Sequence, residues 1–481
     1  MKRTYLISFI GLAMIMILSV VLPNMYRNAY GAYAKATPLS GGPIINNPNL
    51  KTELVAKGLR FPTSMAFLGP SDILVLEKNE GTVRRVTDGK LVSKPLLQVN
   101  VGKQVEWGML GIAVEKQNDN TFVFLRYTAI PNDASTSSNS RSSSSSSNSN
   151  QNPDSMRNLL YKYELVGNKL VNPTLLMNLP ATSPLLDSGA STKIGPPENN
   201  HDGGKVLIGP DNNVYTAIGD VGGHKGQAQN VKDGDPLDGT SGILRVDQNG
   251  KAPLDNPLMG VNEAEKSKDG QQRPMSDYYY AYGVRNSFGM DFDPVTGKLW
   301  DTENGPNYGD EINLVEGGSN SGWLQVMGIW KVSGQDPGPD ISSKNPPPHL
   351  LLDFGNSGGK GDQLKGKYMS PEFVWKQPIG PTALKFLNSD KLGKQYQNTI
   401  FVGDVNTGNL YNFKLNPQRT GLLLDGPLAD KVADNPDELS SVIFGKGFGV
   451  ITDIQVGPGD GYLYILTYQG TIYRIVPSHA Q

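Results

Sequence analysis

One histidine, His201, lies in a sequence setting that suits proton transfer. It belongs to the run Asn-His-Asp-Gly-Gly at residues 200–204, just before the apolar residues 206–208. A neutral imidazole can accept a proton near neutral pH, and neighbouring acid and amide groups can orient it. The sequence therefore makes His201 a candidate general base. The alternative is a solvated turn histidine at the mouth of a strand.

Three more candidates stand at corresponding places, directly before other strand-like segments. They are Glu106, Arg285 and Asn286. If these segments line one channel, the carboxylate, guanidinium and amide groups meet His201 at one mouth and can surround a polar ligand. The alternative is that Arg285 and Glu106 form a salt bridge that braces neighbouring sheets.

An oxygen-rich segment suggests a metal site. Residues 303–311 read Glu-Asn-Gly-Pro-Asn-Tyr-Gly-Asp-Glu and follow a strand-like run. Calcium is a hard ion that takes roughly six to eight oxygen ligands, and carboxylates and loop carbonyls supply them. The spacing is not that of an EF-hand. The alternative is a turn rich in Asp and Asn with solvated carboxylates.

A repeated pattern along the chain indicates the fold. An apolar strand ends in a turn, often with proline, and a second strand follows; copies begin near residues 67, 110, 207, 291, 382 and 455. Six copies predict an all-β chain folded as a six-bladed β-propeller over residues 50–478. A pair of β-sandwiches explains the strands but not the repeated turn. Residues 132–155, rich in Ser and Asn, are predicted to be a disordered loop within this domain.

Composition narrows the classes of function. The 481 residues carry 44 basic and 46 acidic side chains without a basic block, so nucleic acid is not an expected partner. Without any cysteine, the chain has no disulfide and no thiol nucleophile. Lys2 and Arg3 precede an apolar stretch, so residues 1–36 are predicted to be a signal peptide or an N-terminal membrane anchor. The body is expected outside the cytoplasm, either secreted or held at the outer face of the membrane by this segment.

Several motifs together resemble the soluble quinoprotein glucose/sorbosone (aldose sugar) dehydrogenase family. The matching runs, in order, are Glu-Trp-Gly-Met-Leu-Gly at 106–111, Asn-His-Asp-Gly-Gly at 200–204, Tyr-Gly-Val-Arg-Asn at 282–286, Glu-Asn-Gly-Pro at 303–306, Asp-Glu-Ile-Asn-Leu at 310–314, and Gly-Trp at 322–323. The resemblance extends from about Leu59 to Val476. It implies a six-bladed propeller that carries pyrroloquinoline quinone (PQQ) and calcium.

The resemblance also implies roles for single residues. His201 matches the base that takes the proton of a sugar's anomeric hydroxyl while hydride passes to the quinone. Arg285 and Asn286 match residues that hold and polarise the quinone carbonyls, and Glu106 stands where the family has Gln or Glu beside the cofactor. Among the implied calcium ligands are the carbonyls of Gly305 and Pro306 and, at a further site, Asp310 and Glu311.

The chain departs from the family at three cationic positions. Asn406 stands where the family has a lysine, and Val450 and Thr452 stand where it has two arginines. Those cations pair with the carboxylates of the quinone, and a buried tricarboxylate without them binds more weakly. Lys205 and Lys385 are the possible replacements.

Three functions remain open from the sequence. The first is an exported, PQQ- and calcium-dependent dehydrogenase that oxidises a small aldose to a lactone and passes electrons to a carrier protein or quinone pool. The second is a non-catalytic propeller that binds an extracellular sugar, polymer or protein. The third is a calcium-dependent hydrolase of the lactonase type, with candidate ligands Glu106, Asn200, Asp220 and Asp404.

Overall fold

The protein is built almost entirely from β-strands. The computed structural model describes residues 36–130, 156–183, 200–261, 273–333, 336–340, 351–352 and 368–478. The predicted leader before residue 36 and the predicted loop at 132–155 lie outside these ranges. Within the described ranges there is no α-helix, only short 3-10 helices at Gln227–Gln229, Met275–Tyr278, Lys394–Tyr396, Gly426–Leu428 and Pro436–Ser441. The predicted all-β class is therefore confirmed, and no described helix has the length and apolarity to cross a membrane.

The strands are numbered in chain order. The first fifteen are β1 (Ile44–Ile45), β2 (Leu50–Lys57), β3 (Pro62–Gly69), β4 (Asp72–Glu77), β5 (Thr82–Thr87), β6 (Lys90–Leu91), β7 (Leu97–Gln98), β8 (Met109–Gln117), β9 (Asn120–Ala129), β10 (Arg157–Val166), β11 (Lys169–Pro180), β12 (Val206–Ile208), β13 (Val214–Ile218), β14 (Gly242–Val246) and β15 (Tyr279–Tyr282).

The remaining strands complete the chain. They are β16 (Ser287–Phe292), β17 (Leu299–Glu303), β18 (Asp310–Val315), β19 (Val326–Met327), β20 (Trp330–Ser333), β21 (Asp336–Asp340), β22 (Phe373–Trp375), β23 (Pro381–Phe386), β24 (Ile400–Asp404), β25 (Asn409–Phe413), β26 (Val432–Ala433), β27 (Ile443–Lys446), β28 (Ile451–Val456), β29 (Leu463–Thr467) and β30 (Thr471–Pro477).

The described strands form seven sheets. Six of them follow one another along the chain: β3–β7, β8–β11, β12–β15, β16–β18 with β22 and β26, β23–β25 with β27 and β1, and β28–β30 with β2. The seventh is a small sheet of β19–β21. Strands β9 and β10, the described strands before and after the predicted loop at 132–155, pair antiparallel in one sheet.

The six larger sheets contact one another in sequence order, mainly through their first strands. Strand β3 packs against β8, β8 against β12, β13 against β16, β16 against β23, β23 against β28, and β28 against β3 again. The last sheet takes its outer strand, β2, from the start of the chain, and Arg474 on β30 pairs with Glu53 on β2 at 3.0 Å. This closed arrangement is that of a β-propeller.

The same tyrosine–aspartate hydrogen bond recurs in two of the repeated turns. In the third sheet, the hydroxyl of Tyr215 donates to Asp211 at 2.9 Å, and a Cβ at Gly209 would lie 2.5 Å from the Tyr215 ring. In the sixth sheet, Tyr464 donates to Asp460 at 2.8 Å in the same way. The glycine before the turn proline therefore leaves room for a tyrosine that ties the turn to the next strand.

Candidate active site

A cavity of about 340 Å³ opens where the first strands of the sheets begin. Its size lies within the range of small-molecule pockets, about 300–1,000 Å³. Of the eight residues predicted to be catalytic, cofactor-binding or metal-binding, seven line it: Glu106, His201, Arg285, Asn286, Gly305, Pro306 and Asp310. Because each loop before a first strand ends at this mouth, residues distant in sequence surround one space. Glu311 is not among the described lining residues.

His201 sits in a tightly folded loop at the cavity wall. The residue is 8% exposed, and its φ of 62° lies in the left-handed region. Gly203 follows with a φ of 60°, and a Cβ there would lie 2.7 Å from the carbonyl oxygen of Ala217. Gly203 therefore lets the loop lie close against β13. Strain of this kind is often found at functional sites.

The imidazole of His201 is oriented by a buried carboxylate. Its Nδ1 lies 2.5 Å from Oδ1 of Asp220, and Oδ2 of Asp220 accepts a hydrogen bond from the Trp323 indole at 2.8 Å. Burial alone would raise the pKa of Asp220, but the charge and hydrogen bond of His201, with Arg285 nearby, hold that pKa below its ordinary value. The charged Asp220 favours the proton on Nδ1 and leaves Nε2 to accept another.

Asp220 and Trp323 complete the histidine site, although the sequence did not assign them this role. The sequence feature that could have identified Asp220 is the glycine before it, Gly219, which directly follows a buried strand. A Cβ at Gly219 would collide with the backbone oxygens of His201 and Arg285. The glycine is therefore required for these two loops to approach each other.

Arg285 is held against the loop after β17. Its Nη1 donates to the carbonyl oxygens of Asn304 at 2.8 Å and Gly305 at 3.0 Å. The guanidinium also lies over the Trp323 ring, 5.3 Å from its centre. The backbone amide of Arg285 donates to Glu303 at 2.6 Å. Arg285 thus brings a fixed positive charge to the cavity beside the histidine.

Glu106 braces the site through amides rather than through Arg285. Its carboxylate accepts hydrogen bonds from the Asp202 amide at 3.0 Å and from the Asn286 side chain at 3.3 Å. Asn286 in turn accepts from the Gly203 amide at 3.1 Å. No ion pair joins Glu106 to Arg285 in the described parts of the chain, so the bracing salt bridge considered from the sequence is absent.

The residues predicted to bind calcium are largely engaged in other contacts. The Gly305 carbonyl accepts from Arg285, and Asp310 accepts from the backbone amides of Gly305, Ile379 and Gly380 at 2.7–2.8 Å. Over the residues that the structure describes, no group of three or more His, Cys, Asp and Glu side chains could hold a metal. As arranged, these residues do not fit a calcium ion, and calcium binding remains a prediction.

Glu311 instead belongs to a buried ladder of acids between β17 and β18. Glu303 faces Glu311 across the strands, and Asp301 faces Asn313. All four are nearly inaccessible to water, and neither oxygen of Asp301 has a well-formed hydrogen bond, although Asn313 and Ser287 lie close to its carboxyl group. Burial raises the pKa of Asp301 to about 7 and that of Glu311 to about 8. Burial and repulsion from Glu311 raise the pKa of Glu303 well above its usual range.

The three neutral positions Asn406, Val450 and Thr452 do line the cavity. Two lysines were proposed to replace the missing cations. Lys205 lines the cavity but forms an ion pair with Asp453 at 2.7 Å. Lys385 forms an ion pair with Asp291 at 3.0 Å and is not among the described lining residues. One lysine that the sequence analysis did not select, Lys78, also lines the cavity. The cavity therefore keeps positive groups, but at positions other than those of the family.

The residues proposed for a lactonase do not meet. Among Glu106, Asn200, Asp220 and Asp404, only Glu106 belongs to the described cavity lining. Asp404 is fully buried and accepts hydrogen bonds from the amides of Thr407 and Gly408 in its own turn. Asp220 is engaged with His201. A shared calcium at these four residues is not what the geometry supports.

Comparison with known proteins gives a consistent picture. Residues 59–346 match the family model described as glucose/sorbosone dehydrogenase. The chain is 23% identical over 436 residues to the aldose sugar dehydrogenase YliI of Escherichia coli, and the aligned region covers 89% of this chain and 93% of that protein. It is also 26% identical over 304 residues to quinoprotein glucose dehydrogenase B of Acinetobacter calcoaceticus. That aligned region covers 60% of this chain and 55% of the other protein.

A solved structure shares the fold. The PQQ-bound form of the aldose sugar dehydrogenase of Streptomyces coelicolor matches with a TM-score of 0.56 and 19% identity, over 90% of this chain and 99% of that one. At this identity the likeness concerns the fold alone.

Proposed function

Because the chain belongs to the glucose/sorbosone dehydrogenase family, we propose that it is a PQQ-dependent dehydrogenase that oxidises the anomeric hydroxyl of an aldose to a lactone. The observation that carries this proposal is that His201, which lines the cavity together with Arg285, is hydrogen-bonded to the buried Asp220. An oriented base next to a fixed cation suits removal of a hydroxyl proton together with a hydride.

In this proposal His201 accepts the hydroxyl proton at Nε2. Asp220 stabilises the resulting imidazolium through its hydrogen bond to Nδ1. Arg285 and Asn286, which line the same cavity, would donate hydrogen bonds to a carbonyl group of the quinone and polarise it. Bound PQQ supplies the acceptor for the hydride, so that the sugar loses two electrons and becomes a lactone. No step is assigned to calcium.

We also propose that the propeller has six blades, one for each of the larger sheets. The cyclic contacts between these sheets support that number.

The basic and apolar N-terminal segment supports export, with residues 1–36 cleaved or kept as an anchor. Electrons then pass to a carrier protein or quinone pool outside the cytoplasm, where no soluble nicotinamide pool is maintained.

A second candidate function rests on one observation. The positions of Asn406, Val450 and Thr452 in the cavity wall are neutral, which favours a propeller that binds an extracellular sugar, polymer or protein without catalysis. The two functions differ in whether the quinone binds at all.

The deciding experiment is calorimetric titration of the purified protein with PQQ, with calcium present and then with a chelator. Under the dehydrogenase proposal PQQ binds, and aldose-dependent dye reduction follows and is lost in His201→Ala. The matched control is His224→Ala, because His224 is a buried histidine that contacts Asp238 at 3.2 Å outside the described lining. Absence of PQQ binding under both conditions would leave the binding protein as the better account.

A further inference from the structure

Lys78 is a buried lysine in the cavity wall without a carboxylate partner. It directly follows β4 and is 7% exposed. Its Nζ donates to the carbonyl oxygen of Trp107 at 2.7 Å and to Asn79 at 3.3 Å, and no ion pair is formed with any described Asp or Glu. An ammonium group has three protons to donate, so one remains for a ligand.

The loop at residues 106–109 packs against Lys78 and fixes its position. The amide of Met109 donates to the Lys78 carbonyl at 3.0 Å. Gly108 has a φ of 151°, and a Cβ there would lie 2.6 Å from both Cγ and the backbone oxygen of Lys78. A side chain at position 108 would therefore displace the lysine. The motif that contains Glu106 and Trp107 thus also fixes where the Lys78 ammonium lies.

Of the other cations in the described lining, Lys205 is paired with Asp453. Arg285 donates to two backbone carbonyls but is only partly engaged, because its Nε lacks a hydrogen-bond partner among the described residues. Burial lowers the pKa of Lys78 to about 8, while the negative charges of Glu106 and Asp202 oppose that change. Lys78 is therefore mostly charged at neutral pH although burial disfavours the charge. A buried charge of this kind gains free energy when an anion pairs with it.

We propose that Lys78 binds a carboxylate of the quinone and replaces the family cations that are missing at Asn406, Val450 and Thr452. This inference rests on the proposed function, because it assumes that the carboxylate-bearing ligand is PQQ. The competing role is purely structural: the ammonium would only tether the Trp107 carbonyl and leave ligand affinity unchanged. The two roles predict different binding data.

The test is calorimetric titration with PQQ of the wild type and of Lys78→Met, which keeps an apolar stem and removes the charge. A lost charge-assisted hydrogen bond corresponds to about 10- to 100-fold weaker binding, and the loss should shrink at high salt. Lys78→Arg retains the charge and should restore most of the affinity. Lys385→Met is the matched control, because Lys385 pairs with Asp291 outside the described lining and should bind PQQ like the wild type.

The possible outcomes separate this inference from the proposed function. Wild-type binding with unchanged affinity in Lys78→Met overturns the role of Lys78 and leaves the dehydrogenase proposal intact. A wild type that does not bind PQQ overturns both. If Lys78→Met does not fold, acetylation of the wild-type protein, mapped by mass spectrometry, replaces it. PQQ should then protect Lys78 but not Lys385, and equal acetylation of Lys78 with and without PQQ overturns the inference.

Discussion

The buried carboxyl group of Asp301 should make the protein less stable as pH rises. Burial raises its pKa from the ordinary 3.8 to about 7. Between these values the unfolded chain has released the proton while the folded protein retains it, so a rising pH favours unfolding. About three pH units, at about 1.4 kcal/mol each, correspond to a loss of about 4 kcal/mol in the free energy of unfolding.

Asp301→Asn removes this titration and keeps the shape of the side chain. We expect the variant to be up to about 4 kcal/mol more stable than the wild type at pH 8, with little difference at pH 4. Some pH dependence should remain in both proteins, because Glu303 and Glu311 also have raised pKa values. Asn313 and Ser287 lie close enough to interact with the new amide.

The measurement is urea unfolding of both proteins at pH 4, 6 and 8 with a chelator throughout. The control is Asp390→Asn, because Asp390 is exposed and its substitution should leave the pH dependence unchanged. A wild type whose stability is constant or increases from pH 4 to pH 8 would contradict the reasoning. So would an Asp301→Asn variant that is less stable than the wild type at pH 8.

Three other predictions concern the cavity. Asp220→Asn should lower kcat about 10²- to 10⁴-fold with little change in KM, because the imidazolium of His201 loses its charged partner; steady-state kinetics would show this, and an unchanged kcat would exclude the role. Gly219→Ala should destabilise the protein by several kcal/mol in thermal unfolding, because its Cβ collides with two backbone oxygens; a wild-type midpoint would mean that the loops can separate. Asp310→Ala should lower the thermal midpoint by the same amount with calcium or with a chelator, because its oxygens accept backbone amides; a destabilisation seen only with calcium would instead make Asp310 a metal ligand.

The parts of the site that could be predicted are those that local sequence determines. The repeated turn located the strands, and the residues before each first strand included Glu106, His201, Arg285 and Asn286, which do surround one cavity. Propeller geometry links these positions because each blade places its inner strand in the same way. No knowledge of individual side-chain contacts was needed.

The rest depends on contacts that sequence does not encode locally. Lys205 could serve as a free cation until the structure showed Asp453, 248 residues away, as its partner. Asp310 is a predicted metal ligand, and the sequence does not show that its oxygens also accept three backbone amides. Lys78 gave no sequence signal, because its importance comes from a loop of a different sheet that packs over it.

The most direct test of the proposed dehydrogenase activity is a single-turnover experiment with PQQ-loaded protein and a panel of aldoses, followed by the absorbance of the cofactor in the absence of oxygen. We expect aldose-dependent reduction by the wild type and by His224→Ala, and a rate at least about 100-fold lower in His201→Ala. A His201→Ala protein that reduces PQQ as fast as the wild type, or a loaded wild type that no aldose reduces, would contradict it.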